Sequence, residues 1–380
     1  MKILHVTAAY KPAFIYGGPT MSVASLCEHL QLNGNQVEVF TTTANGREEL
    51  PVTPNLQIIV DGVKVTYFKR ITKDHTHFSP SLLNALRKRA TEFDAIHIHA
   101  WWNLVSLLAC FISLQKKVPV VLSPRGMLSN YSFGKKNTSV KALIHRLIGK
   151  SLLKRTNIHA TSFNENTAVK KLGTFKSIAT IPNFVQLQGK NAYPAKSRSS
   201  TFKLLFFSRI DEKKGLDILL TALKTLSIPY HLTIGGDGKS AYINQLKSLA
   251  TVNNLADKIT WVGFYGDNKF MLLQEHDLMI LPSHDENFGN VVIESLSVGT
   301  AVLVSKNVGL ANYIQSTNLG WVCERTPKAI SEAIADIWGN HLKDLDRIAQ
   351  VAPELVRKDF TGENLLQQYL NLYQKIISNE

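Results

Sequence analysis

The sequence predicts an α/β protein made of two Rossmann-like domains, each a doubly wound parallel sheet. Three observations carry that expectation. The chain has 380 residues, more than a single hydrophobic core usually serves. Short apolar runs alternate with segments of helical spacing, the pattern of parallel strands buried on both faces. A polar, low-complexity run from Gln186 to Ser200, entered through Pro182-Asn183, divides the chain near its middle.

In the first half, Lys2–Thr7 reads as a strand. It leads into a loop holding Tyr16-Gly17-Gly18-Pro19 and a helix over Thr20–Leu32, closed by Asn33-Gly34. Val37–Thr42 is a second strand, and Leu56–Phe68 a hairpin turning at Asp61-Gly62, a favoured two-residue turn. A helix over Leu82–Thr91 precedes the buried strand Asp94–His99, and Val118–Ser123 is the next strand, ending in Pro124-Arg125-Gly126-Met127. Lys135–Arg155 interleaves seven Lys and Arg with leucines and isoleucines, as a basic amphipathic helix does. Strands at Ile158–Thr161 and Ser177–Ile181, with a helix over Asn164–Leu172 between them, complete a domain of residues 1–182.

After a linker at 183–202, the second domain spans 203–358. Its strands are Phe202–Phe207, His231–Gly235, Lys258–Val262, Asp277–Pro282, Thr300–Val304 and Leu319–Cys323. Helices at Ala241–Asn253, Asn268–His276 and Pro327–Trp338 separate them, with another that starts near Asn290 and stops at Gly299. Asp344-Leu345-Asp346 lies in a charged helical segment and reads as a solvated face rather than a metal motif, and Leu365–Ile377 is a terminal amphipathic helix.

Composition excludes several classes. No apolar run approaches the roughly 18–20 residues of a spanning helix, and Met1-Lys2-Ile3-Leu4-His5-Val6 reads as a first strand rather than a signal peptide. Cys27, Cys110 and Cys323 stand far apart in apolar surroundings, which suggests buried thiols in a reducing compartment. The net charge is +14, and residues 1–182 hold 23 Lys and Arg against 9 Asp and Glu, whereas residues 183–380 hold 20 of each. The whole excess therefore lies in the first half. A one-sided basic surface points to an anionic partner: nucleic acid, a membrane surface or a phosphorylated substrate. No nucleic-acid motif or aromatic-interleaved basic strip accompanies it, so nucleic acid is not expected.

The chemistry concentrates between Leu281 and Ser305. A buried strand ends there in a polar loop, Ser283–Glu286, followed by Asn287-Phe288-Gly289-Asn290 and a helix carrying Glu294. A loop that closes at a helix N-terminus favours an anion, and Gly289 lets the backbone approach it. Carboxylates beside such a site are suited to holding neutral hydroxyls, as on a sugar. Arg209, at a strand end, and Lys214, before the next helix, bring two cations to one edge of the same domain. Gly17-Gly18 lies between a strand and a helix, where bare backbone can cradle phosphate, although a simple turn explains the pair equally well. His97 and His99 share a strand face but have no third ligand nearby in the sequence, so no metal site is expected. Gly235-Gly236-Asp237-Gly238 lacks the complete strand–GxGxxG–helix pattern of a nicotinamide site.

The run from Pro282 to Gly289, with Glu294-Ser295-Leu296 and Gly299 after it, resembles the Glu-x7-Glu signature of retaining GT-B glycosyltransferases of the family 4, or group 1, type. Arg209-x4-Lys214-Gly215 matches the family's pattern as well, and the resemblance extends over nearly the whole chain. It implies two domains facing a central cleft, with the terminal helix, about residues 360–380, crossing back onto the first. It implies a donor site of Gly17, Gly18, Arg209, Lys214, Phe264, Glu286, Asn287, Phe288, Gly289, Asn290 and Glu294. There Arg209 and Lys214 bind the diphosphate, Glu286 the sugar hydroxyls and Glu294 the ribose, so that Glu286, Arg209 and Lys214 are the catalytic residues. His99 and Arg125 fall on the acceptor side, Arg125 standing where many relatives have histidine. A guanidinium cannot be a general base but can bind phosphate or a hydroxyl.

The implied activity is metal-independent, retaining transfer of a sugar from a UDP- or GDP-linked donor, with no further cofactor. The acceptor would be a glycan or a lipid-diphosphate-linked glycan in surface polysaccharide assembly. A cytoplasmic protein follows, with peripheral attachment to the anionic inner membrane face through its basic half. The enzymatic rivals are a sugar phosphorylase or epimerase on the same fold. The non-enzymatic rival is a basic nucleic-acid- or membrane-binding protein.

Overall fold

The structure, a computed structural model, describes residues 1–129, 143, 145–187, 199–266 and 268–378. The chain forms two compact units, Met1–Gln186 with Thr361–Glu380, and Leu187–Phe360.

The strands of the first unit are β1 (Lys2–Val6), β2 (Gln36–Thr42), β3 (Ala44–Asn45), β4 (Glu48–Glu49), β5 (Gln57–Val60), β6 (Val63–Phe68), β7 (Ala95–His99), β8 (Val120–Ser123), β9 (Asn157–Ala160) and β10 (Ser177–Thr180). Its helices include α1 (Gly18–Leu32), α2 (Pro80–Arg89), α3 (Leu104–Gln115), α4 (Lys150–Lys154) and α5 (Phe163–Lys170). The main sheet runs β10-β9-β8-β7-β1-β2-β6-β5. Every pairing in it is parallel except β5 with β6, the expected hairpin, in which Asp61 and Gly62 both take positive φ. From β1 the chain winds outward through β2 and β6, then returns to the other side of β1 as β7. The boundary between β1 and β7 is a topological switch point, where connections leave in opposite directions and ligands collect.

Strand residues alternate between the two faces. Leu4, Val6, Ile96, Ile98 and Leu122 pack with α2 and α3 on one face. Ile3, Val37, Val39 and Val65 lie on the other. The expected linker is shorter at its start than the sequence suggests. Asn183, Phe184 and Val185 are buried, and Phe184 belongs to the first unit's core. Burial of an aromatic ring ties those residues down where a polar run alone reads as free chain. Of that run, residues 188–198 lie outside the described residues. Of the expected helix Lys135–Arg155, Lys135, Lys136 and Lys141 also lie outside them, and Lys150–Lys154 is helical.

The second unit has β11 (Phe202–Phe207), β12 (Tyr230–Gly235), β13 (Ile259–Gly263), β14 (Leu278–Leu281), β15 (Ala301–Ser305) and β16 (Gly320–Cys323). With them come α6 (Leu216–Leu223), α7 (Ser240–Val252), α8 (Lys269–Gln274), α9 (Asn290–Ser297), α10 (Ala311–Thr317), α11 (Pro327–Asn340) and α12 (Leu342–Phe360). The order β13-β12-β11-β14-β15-β16 is parallel throughout, with its switch point between β11 and β14. Asp344, in α12, faces His341 at 2.8 Å and Arg347 at 3.7 Å, the solvated pairing expected of it.

The last helix, α13 (Glu363–Ile377), returns to the first unit, where Leu365, Leu366, Tyr369, Leu372, Tyr373 and Ile376 join the core beside Ile3, Val23 and Phe184. Cys27 and Cys110 are buried; Cys323, at the end of the edge strand β16, is only partly so. No helix among the described residues is long and apolar enough to cross a membrane. Because α13 fills the first unit's core, Leu365→Ala should lower the urea stability of that unit by about 2–5 kcal/mol. A loss below about 1 kcal/mol would show that the helix is docked without supporting the core.

Candidate functional site

In the second unit, the loops leaving β11 and β14 begin side by side, since Leu204 pairs with Leu278 and Leu205 with Met279. The first loop turns on Asp211, whose carboxylate accepts the Lys213 N–H at 3.0 Å and starts a short 3-10 turn over Glu212–Lys214. Gly215 ends it at φ +74, and a Cβ there would lie 2.2 Å from the Pro282 carbonyl oxygen. Only glycine fits both the dihedral and the contact. The loops are then stitched together: the His284 N–H donates to the Lys213 carbonyl at 2.7 Å, Lys213 pairs with Asp285 at 2.9 Å, and Lys214 Nζ donates to Glu286 Oε2.

A third loop holds Glu286 from the other side. The Glu286 N–H donates to the Asn307 carbonyl at 3.1 Å, and its own carbonyl accepts from Gly309 N–H at 2.7 Å. The Ser305 hydroxyl donates to the Ser283 carbonyl at 2.6 Å. Glu286 thus projects from backbone fixed on both flanks. Beyond it Gly289, at φ +95, caps α9, whose N-terminus begins at Asn290. Phe288 is buried against Phe360, ring centroids 5.9 Å apart, so its side chain anchors the loop instead of facing a ligand.

Asn287 and Asn290 are partly exposed beside it. Glu294, on α9, pairs with Lys269 at 2.8 Å. Arg209 is exposed and has no ion pair among the described residues. Phe264, just beyond β13, leaves 78% of its surface open. The unit therefore gathers a carboxylate, a lysine and a helix N-terminus at one switch point. Sequence reasoning found Glu286 and Lys214 but missed Lys213, Asp285 and Lys269, whose single lysines and acid carry no pattern of their own.

In the first unit, Gly17 (φ +68) caps α1, and a Cβ there would have nothing within 4 Å. Helix α1 starts at Gly18, two residues before the expected Thr20. His99 and Arg125 close β7 and follow β8, and Ala100 and Arg125 both hold positive φ, 70° and 52°. Such conformations cost roughly 1–3 kcal/mol each and gather at functional sites.

His99 does not reach outward. It is buried, its Nε2 lies 3.0 Å from His5 Nδ1, and its Nδ1 accepts from Arg125 at 3.4 Å. Of the two residues expected on the acceptor side, His99 is thus covered, and Arg125, only partly buried, is the group nearer solvent. Arg125 also donates to Asn183 Oδ1 at 3.0 Å.

Behind Arg125 lies a polar net that the sequence did not reveal. His97 Nε2 and His159 Nδ1 each lie 2.6 Å from Ser123 Oγ. His97 Nδ1 meets the Tyr373 hydroxyl at 2.7 Å, and Tyr369 donates to the Pro182 carbonyl at 2.9 Å. His5 supplies the third imidazole that the sequence did not place near His97 and His99, since β1 and β7 pair His5 with His97. The donor set still does not fit a metal ion: both nitrogens of His97 hold hydroxyls, and the Arg125 cation adjoins His99.

Burial, reinforced by the Arg125 charge, holds His5 down to about 3. Burial likewise lowers His159 to about 3, and holds His97 and His99 well below the usual imidazole range. The four rings stay neutral in the fold but protonate near 6.5 when unfolded. Their stabilisation is complete above that value and is lost progressively as pH falls below it, because the unfolded chain then binds protons that the folded rings do not. Thermal unfolding of the first unit should fall steadily between pH 7 and pH 5, less steeply in His159→Gln; equal slopes would remove His159 from the titrating set.

Comparison with known proteins finds relatives for both units. Residues 190–354 match the family model described as glycosyl transferases group 1, and residues 16–188 that of glycosyltransferase family 4. The uncharacterized glycosyltransferase MJ1607 of Methanocaldococcus jannaschii is 24% identical, with 98% of both chains covered. The GDP-mannose:cellobiosyl-diphosphopolyprenol alpha-mannosyltransferase of Xanthomonas campestris is 23% identical over 80% of this chain and 78% of that protein. Anabaena Alr3699/HepE, solved in complex with UDP and glucose, has a TM-score of 0.73 at 20% identity, covering 99% of this chain and 100% of that one.

Proposed function

The chain belongs to the group 1 and family 4 glycosyltransferases, with the Rossmann-like domains of the GT-B class, and from that premise we propose a retaining, metal-independent transferase using a nucleotide-diphospho-sugar. The carrying observation is Lys214 beside Glu286 at the switch point of the second sheet, although 72 residues separate them. A site that joins a cation to a carboxylate suits a donor with a diphosphate next to a sugar. Lys214, with the exposed Arg209 and the N–H groups at the start of α9, stabilises the negative charge that develops as the glycosyl–phosphate bond breaks. The electron pair of that bond leaves on the diphosphate. Glu286 orients the sugar hydroxyls, and Glu294 the ribose. The acceptor hydroxyl attacks the face the diphosphate leaves, passing its proton to the departing phosphate oxygen.

UDP-linked or GDP-linked sugars are the favoured donors: the names of the Anabaena and Xanthomonas proteins mention UDP and GDP-mannose. The exposed Phe264 ring offers a stacking face for the base. Arg125 follows β8, and the bare backbone of Gly17 and Gly18 stands at the start of α1, two places where an anionic group can be met. A glycan on a lipid diphosphate, in surface polysaccharide assembly, is the acceptor class that fits the +14 excess of that half. Exposed Arg146, Lys150 and Lys154 accompany the exposed side chains of Leu147 and Ile148, a composition suited to an anionic membrane face.

Glu286→Ala should abolish transfer while leaving nucleotide affinity largely intact, and Glu294→Ala should weaken nucleotide binding by about 1.5–3 kcal/mol. Lys214→Ala should cut turnover sharply, and EDTA should not. Small, equal effects of the two glutamate changes, or activity lost to chelator and restored by Mg²⁺, would refute the mechanism.

Sedimentation with vesicles tests the membrane reading. Anionic vesicles should bind the protein and neutral ones should not, with ~1 kcal/mol lost per cation on neutralising Arg146, Lys150 and Lys154. Indifference to lipid charge would leave a soluble acceptor.

A further inference from the structure

Glu294 is held by a residue that no sequence pattern singles out. Lys269 opens α8, a few residues beyond Phe264, and its Nζ lies 2.8 Å from Glu294 Oε1. The Glu294 side chain is 12% exposed and that of Lys269 30%, so the pair is sheltered but open on one side. The Lys269 ammonium also lies 5.0 Å from the centre of the Phe270 ring, which confines it further. A glutamate on a helix has three side-chain torsions to settle, and a fixed ammonium on one oxygen settles them. The second oxygen is then presented in one direction.

We propose that Lys269 is a positioning residue: it orients Glu294 so that the carboxylate reads the ribose 2′- and 3′-hydroxyls and selects a ribonucleoside diphosphate over its 2′-deoxy form. The inference rests on the assignment of Glu294 to the ribose made above. It differs from the pairing of Lys214 with Glu286, where the lysine itself meets the diphosphate. Lys269 touches no reacting atom. Its contribution therefore appears in donor binding and sugar-ring discrimination, and turnover at saturating donor stays near that of the unaltered protein.

The test is calorimetric titration of the full chain with UDP, GDP and ADP, and with dUDP, dGDP and dADP. It uses the unaltered protein, Lys269→Met, Lys269→Arg and Glu294→Gln, each checked by thermal melting. The unaltered protein should prefer the ribo form of its nucleotide by about tenfold or more, as a hydrogen bond to a charged group implies. Lys269→Met and Glu294→Gln should each bring that ratio to within about twofold, affinity for the deoxy form falling less than that for the ribo form because only its 3′-hydroxyl contact is lost. Lys269→Arg, which keeps the charge, should recover part of it. Lys269→Met with full discrimination, beside Glu294→Gln without it, would overturn the role of Lys269 and leave the ribose assignment standing. Discrimination that survives in Glu294→Gln would overturn both, as would failure of all three ribonucleotides to bind the unaltered protein.

Discussion

The functional part of the second unit depends on how closely two loops approach where β11 and β14 lie side by side. The Pro282 carbonyl occupies the space a side chain on residue 215 would need, 2.2 Å from where its Cβ would be. With glycine there, the turn carrying Lys213 and Lys214 lies directly on the loop carrying Asp285 and Glu286, and two ion pairs form across the join. The same approach brings α9 and its N-terminus to that edge. A parallel sheet whose connections reverse direction creates such a crevice as a matter of topology; the glycine decides that the crevice is narrow enough for a cation and a carboxylate to meet. The third loop, through Asn307 and Gly309, removes the remaining backbone freedom of Glu286.

The first unit solves a related problem with buried polar groups. Its switch point lies between β1 and β7, and Arg125, close to that edge, projects from a backbone held at positive φ. Behind it, four neutral imidazoles, a serine and two tyrosines share hydrogen bonds on the sheet face that α13 covers. Such a net is stable only when its members are satisfied, because unpaired groups are costly at low dielectric. One atom falls short: His5 Nε2 is buried with no partner among the described residues. With Arg125 donating to His99 Nδ1, the proton of His99 lies on Nε2 and that of His5 on Nε2, which accounts for the orphan donor. The net ties the orientation of Arg125 to the docking of the last helix, from far along the chain.

Much of this was legible in the sequence. Apolar runs, caps and turn residues identify strands, helices and the Asp61-Gly62 hairpin because they act through neighbours along the chain. The spacing of Glu286 and Glu294 around Gly289, and of Arg209 and Lys214 before Gly215, singled out the loops that meet at the second sheet's switch point for the same reason. Where a helix is apolar even along the face it leaves uncovered, as α3 (Leu104–Gln115) is at Leu104, Leu107, Leu108 and Phe111, the period is lost and the helix passes unread. Around Phe184, a polar neighbourhood conceals an aromatic ring that belongs to the core.

By itself, then, the sequence determined the class of fold, the division of charge between its halves, and the residue types that gather at the switch point of the second sheet. Tertiary structure alone decided their partners. Lys214 with Glu286, Lys269 with Glu294, His5 with His97 and His97 with Tyr373 stand 72, 25, 92 and 276 residues apart. No local period spans such distances. Strand order and register bring these groups together, and burial makes His99 a support for Arg125 and Phe288 an anchor for its loop.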